Sequence, residues 1–191
     1  MTFNELDKRA IEWNNIANGH QPPENRYDVQ IDMCNEEMLK EYFYWYGEFI
    51  KYERNHDERK ILIEMLDGIA DSFFVFAELR NILKLADPQG KYISHFYFMF
   101  DLALDTAKPI FREDTIIEAC KRVIESNFSK FVKVDDWHDE QWAKNEQLIM
   151  IDRLGTEITK ELNNGYWVFR DSNGKIRKPS TFKPVDLSDL I

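Results

Sequence analysis

The chain has 191 residues, 43% hydrophobic and 14% aromatic, and its 35 acidic against 25 basic residues give a formal net charge of −10. That length and apolar content predict one domain with a substantial core and exclude a disordered chain. The charge excludes a nucleic-acid backbone as partner, since such binding is driven by Lys and Arg neutralising phosphates, and a phosphate-bearing small molecule would need a metal.

In chain order, Thr2 to about Asn18 predicts an amphipathic helix, with Phe3, Leu6, Ala10, Trp13 and Ala17 recurring at three- and four-residue steps. Gly19 to Arg26, with Pro22-Pro23, predicts a loop. A second helix is expected from about Ile31 to His56, with Met38, Tyr42, Trp45 and Phe49 on one face. A third, from about Glu58 to Ala86, is apolar over most of its circumference, which places it centrally in a bundle and its few acids at depth. Asp87-Pro-Gln-Gly90 stops it. A fourth, about Ile93 to Thr106, contains His95-Phe-Tyr-Phe-Met-Phe100 and is expected to be well buried. A fifth starts near Arg112-Glu-Asp-Thr115, with acids in its first turn as the helix dipole favours, and runs to about Ser126. One more helix is expected to reach about Leu162. Tyr166–Arg170, a turn at Asp171-Ser-Asn-Gly174, and Lys175–Arg177 predict a hairpin. The expected fold is all-α: a bundle of four to six helices over residues 1–164, with the small hairpin and tail of 165–191 in the same domain.

Cys34 and Cys120 each fall inside a predicted helix and read as buried thiols. His20, His56, His95 and His138 stand at no metal-ligand spacing. The first residues carry acids where a signal peptide has a basic and then an apolar run, and no stretch approaches the ~18 consecutive apolar residues of a membrane span. A cytoplasmic protein without a membrane partner is expected.

Two acidic clusters carry the chemistry: Glu36-Glu37-(x3)-Glu41 on the second helix and Glu64-(x2)-Asp67-(x3)-Asp71 on the third. On an ideal helix Glu37 and Glu41 lie about 40° apart, whereas Glu36 is about 140° from Glu41; Glu64, Asp67 and Asp71 share a sector of roughly 60°. Packed together, the two helices would aim four or more acids at one volume, which requires a divalent cation. The competing reading is a solvated acidic stripe, favoured on the second helix by Lys40 and Lys51 and disfavoured on the third by its apolar surroundings.

These residues carry a resemblance. An EExxE-type pair, a gap of a couple of dozen residues, then ExxD and an aromatic-aliphatic run resembles the all-α NTP pyrophosphohydrolases. That MazG-like superfamily includes helical dUTPases, dCTPases and phosphoribosyl-ATP pyrophosphohydrolases. Leu66-Asp-Gly-Ile-Ala-Asp71-Ser-Phe-Phe-Val75 is similar to the second motif helix of its phage- and bacterium-encoded branches. Ser126-Asn-Phe-Ser-Lys130 resembles their "NxSK" element, and Arg170 to Pro179 followed by Phe182-Lys-Pro-Val-Asp186-Leu resembles their "RDxxGKxxKPxxFxPxDL" tail. The first motif departs from the pattern: Lys40 stands three residues after Glu37, and Glu41 one later.

The resemblance implies a Mg²⁺-dependent hydrolase of acid anhydrides, cleaving an NTP or dNTP to the monophosphate and pyrophosphate, with Mn²⁺ as an alternative ion. Glu37, Glu41, Glu64, Asp67 and Asp71 would hold the metal, and Glu37, Glu41, Asp67 and Asp71 would carry catalysis. Either Glu64 with Asp67 or Asp67 with Asp71 fills the ExxD role, and Glu36 competes with Glu37. Asn127, Lys130, Arg170, Lys175 and Lys178 would contact phosphates. A homodimer or homotetramer is implied, in a bacterium or a phage-infected cell. The alternative is a non-catalytic helical protein that binds or sequesters a nucleotide.

Overall fold

The computed structural model describes residues 1–19, 26–51, 58–86 and 93–191 and is mostly helical, with a small three-stranded antiparallel sheet. The expected turn at 87–90, most of the loop at 19–26, and His20 and His56 lie outside those residues, as do the side chains of His95 and Phe96. Among the described residues no helix is long and apolar enough to cross a membrane. The chain divides into two compact units. Unit one comprises Met1–Ile11, Gln21–Ile124 and Asp186–Ile191; unit two comprises Glu12–His20 and Glu125–Val185. The boundary read from the sequence at 164/165 falls within unit two.

Helix α1 (Phe3–Asn18) opens in unit one with a capping box. The Thr2 amide donates to Glu5 Oε2 at 2.7 Å and the Glu5 amide to Thr2 Oγ1 at 3.4 Å, so two donors at the helix start are satisfied. Helix α4 (Glu58–Ala86), with the bounds expected of it, packs against α2 (Tyr27–Asn35), a π-helix (Glu36–Tyr42), α3 (Phe43–Ile50) and α5 (Ile93–Ala107). It buries Met65, Leu66, Ile69, Ala70 and everything from Ser72 to Leu79. At about 1.5–3 kcal/mol for each large apolar side chain, this helix is the main stabilising element of the unit. Helix α6 (Glu113–Phe128) contributes Ile116, Ala119, Cys120 and Val123 to the core. Both cysteines are free and buried.

Two expectations are corrected here. The second helix is not one α-helix from Ile31 but three segments, because the chain widens into a π-turn between Glu36 and Tyr42. Helix α5 is not buried all round: Phe100 is covered, but Phe98 is 64% and Leu102 40% exposed.

In unit two, α7 (Glu140–Leu154) begins where Asp139 accepts the Trp142 amide at 2.8 Å and ends at Gly155, whose φ of 63° supplies the left-handed cap. The helix therefore stops eight residues short of Leu162. The sheet runs β1 (Val132–Lys133), β3 (Tyr166–Asp171), β2 (Ile158–Asn163) in spatial order, all antiparallel. The hairpin is thus β2–β3 and not the expected Tyr166–Arg177 pair. Asn164 and Gly165, at φ of 51° and 81°, make the tight turn that suits strand twist. The expected turn at 171–174 does form, with the Gly174 amide on the Asp171 carbonyl at 2.9 Å, but only a single bridge, Arg170 to Ile176, follows it. Val132, Ala143, Met150, Ile158, Trp167 and Phe169 form the core of this unit.

Candidate functional site

The two acid-bearing segments, the π-helix and α4, pack against each other. Gly68 allows this approach: a Cβ there would stand 2.8 Å from the Tyr42 amide nitrogen, 2.9 Å from its Cα and 3.3 Å from the Glu41 carbonyl carbon. The two backbones nearly touch, which brings Glu41 beside Asp67. Below them Tyr42 is fully buried, its hydroxyl 2.8 Å from Thr106 Oγ1.

The π-turn decides which acids face α4. The Phe43 amide reaches back five residues to the Met38 carbonyl, so residues four and five apart both lie one turn above each other, and the α-helical angles assumed for Glu36 and Glu37 do not apply. Side-chain contacts separate the two. Glu36 is exposed and accepts from the Lys40 ammonium at 3.3 Å, whereas Glu37 is half-buried and lies close enough to Cys34 to help raise its thiol, which burial and not charge chiefly pushes up.

Asp67 sits in the surroundings least favourable to a charge. Burial is the first cause, and the charges of Glu64 and Glu41 add to it, so that its carboxyl is pushed up from 3.8 to about 6. Its Oδ1 is buried, with no hydrogen-bond partner among the described residues. Glu64 and Asp71 are half-buried on the same helix, and Asp71 lies near Cys120 of α6, where burial first and the Asp71 charge second raise the thiol. Hydrophobic neighbours cannot compensate a buried acceptor flanked by two like charges; a hard cation can. The donor set, carboxylates only, suits Mg²⁺ or Mn²⁺. Among the described residues, however, no three Asp, Glu, His or Cys side chains stand close enough to hold a metal ion between them.

The five residues expected to contact phosphate all belong to unit two. Asn127 and Lys130 close the end of a helix: the Asn127 carbonyl accepts from Trp13 Nε1 at 2.8 Å, its side-chain oxygen accepts from the Lys130 ammonium, and that ammonium lies 5.8 Å from the Trp13 ring centre. Arg170 donates to the carbonyls of Gly174, at 2.9 Å, and Ala17, and stands 3.5 Å from Glu161. It braces the hairpin. Lys175 and Lys178 instead share a pocket with Arg153 and Arg177, two cations the sequence reading passed over. The tail motif contains Arg177, so that residue was in view; nothing in the sequence joins Arg153 to it.

Beyond the named residues, the reading also missed Gly68 and Glu146. Glu146 is 3% exposed and accepts from both the amide and the hydroxyl of Ser180, at 2.6 and 2.7 Å. A single acid in an amphipathic helix carries no sign of this.

No protein-family model, curated protein or solved structure matches the chain.

Proposed function

We propose that the protein is a Mg²⁺-dependent nucleoside triphosphate pyrophosphohydrolase of the MazG-like kind, releasing pyrophosphate and a nucleoside monophosphate. The observation that carries the proposal is Asp67, a half-buried carboxylate with one buried oxygen unpaired among the described residues, raised first by burial and then by Glu64 and Glu41 where the π-helix packs on α4. Holding a half-buried carboxylate beside two like charges destabilises its ionised form, and a bound cation would offset that repulsion.

Glu37 and Glu41 from the π-helix, with Glu64, Asp67 and Asp71 from α4, would hold the metal. When bound, the ion would neutralise phosphate charge and make water more acidic. The protein's own part is to fix the carboxylates on rigid helices, to exclude water through the surrounding apolar side chains, and to offer a carboxylate as acceptor for the proton of the attacking water. Because the acids are not drawn together in the structure, metal binding would have to close the remaining distance, most simply by side-chain rotation.

The exposed Phe98 and Leu102, one turn apart on α5, support assembly as a homo-oligomer. A second reading, a non-catalytic nucleotide-binding or regulatory protein, is favoured by the lack of a preassembled three-ligand group among the described residues. Pyrophosphate release from a panel of NTPs and dNTPs with Mg²⁺, for the wild type and Asp71→Asn, separates the two. Turnover lost in the variant supports the enzyme; binding without turnover by the wild type supports the alternative.

A further inference from the structure

The cations of the tail gather at one place in unit two. Arg153 from α7 and Lys175, Arg177 and Lys178 from the segment after β3 line a pocket of about 540 Å³, whose apolar wall includes Pro179 and Phe182. None of its lining residues is acidic, although acids outnumber bases along the chain.

The wall is held from several sides. Asp171, 5% exposed, accepts from the Lys175 amide and from Arg177 Nε, both at 2.9 Å. Arg153 donates to the Lys178 carbonyl at 2.7 Å, and the buried Glu146 grips Ser180 through its amide and hydroxyl. Among the described residues only Arg177 of the four cations is in an ion pair, with Asp171. Lys178 lies over Phe182, 4.4 Å from the ring centre. Arg153, Lys175 and Lys178 thus have no carboxylate partner among the described residues and stand on a braced backbone beside an apolar surface.

We propose that this pocket binds a small phosphoanhydride-bearing molecule without metal, its phosphates held by Arg153, Lys175 and Lys178 and its organic part resting on Pro179 and Phe182. The volume falls in the range of small-molecule sites. Free pyrophosphate and a nucleoside polyphosphate share the recognised chemistry, and the Phe182 wall separates them. The inference does not rest on hydrolysis, since every residue in it lies in unit two and all the metal-site acids lie in unit one.

The test is calorimetric titration of the full chain with ATP and with inorganic pyrophosphate, in EDTA at low salt. The variants are Lys175→Ala/Lys178→Ala, whose exposed side chains can be removed without unfolding the protein, Lys133→Ala as a charge control, and Asp71→Asn. The expected result is saturable binding that weakens at least tenfold in the double variant and with added salt, and stays unchanged in Lys133→Ala and Asp71→Asn. ATP binding more tightly than pyrophosphate identifies a nucleotide as the ligand; equal affinities identify the phosphoanhydride alone. No binding of either probe, or binding indifferent to the double substitution, overturns the proposal. Loss of binding in Asp71→Asn also overturns it, whatever the hydrolysis assay shows.

Discussion

Replacing Asp67 by Asn should stabilise the metal-free protein at neutral pH and do nothing in acid. The folded carboxyl is pushed up to about 6 from 3.8, so between those values the folded state holds its proton more tightly than the unfolded chain does. Stability from this group is therefore complete below pH 3.8 and is lost as the pH rises through 6. The full displacement corresponds to about 3 kcal/mol. Partial solvent access at this half-buried position reduces the expectation to about 1–2 kcal/mol. Asn keeps the shape and cannot ionise. In EDTA the urea-unfolding free energy of Asp67→Asn should exceed that of the wild type by about 1–2 kcal/mol at pH 7.5, and the difference should shrink towards zero at pH 4. With millimolar Mg²⁺ the wild type should recover the deficit by mass action and the variant should gain less. A difference that does not vary with pH, or an Asn variant less stable at pH 7.5, would refute the reasoning about the buried carboxylate.

Four further outcomes follow from particular contacts. Asp71→Asn should abolish pyrophosphate release while leaving metal-free stability equal or higher; full activity would remove Asp71 from the site. Gly68→Ala puts a Cβ against the Tyr42 backbone at 2.8–2.9 Å, and the clash should outweigh the better helix propensity of Ala, for a net loss of about 1–3 kcal/mol in urea unfolding; a more stable variant would contradict the close approach. Glu146→Ala leaves the Ser180 amide and hydroxyl without their acceptor and should cost about 2–3 kcal/mol, read by thermal unfolding. Light scattering at micromolar concentration should give a multiple of the 22.9 kDa chain mass, and Phe98→Asp should shift it towards the monomer; a wild-type monomer would leave the exposed α5 face without this explanation.

The helices were legible where the apolar period was long and unbroken. Helix α4 has the expected bounds, because its buried face is continuous from Ile61 to Leu83. The π-turn was not legible. It lies where the Tyr42 backbone comes close to Gly68, a contact between residues far apart in sequence, and no local periodicity encodes it. The stretch after α7 is hard to read because only Ile158 of the edge strand Ile158–Asn163 is buried, so its apolar pattern is thin. Its signals are Gly155, the β-branched Ile158-Thr159 and the Asn164-Gly165 pair, with Asn173-Gly174 a second Asn-Gly pair close behind. The acids of α4 could be named from an apolar helix that had no other reason to carry them. That Asp67 is raised could not be read from them, because burial, Glu64 and Glu41 act together on it only in the folded unit.

The central claim is that the acidic crossing cleaves a nucleoside triphosphate between its α- and β-phosphates. Phosphorus NMR of the products, with Mg²⁺ and a mixture of NTPs and dNTPs, tests it most directly. The account predicts monophosphate and pyrophosphate resonances growing together, none in EDTA and none with Asp71→Asn. Diphosphate and orthophosphate as the products, or unchanged triphosphates after prolonged incubation with Mg²⁺ and Mn²⁺, would contradict it.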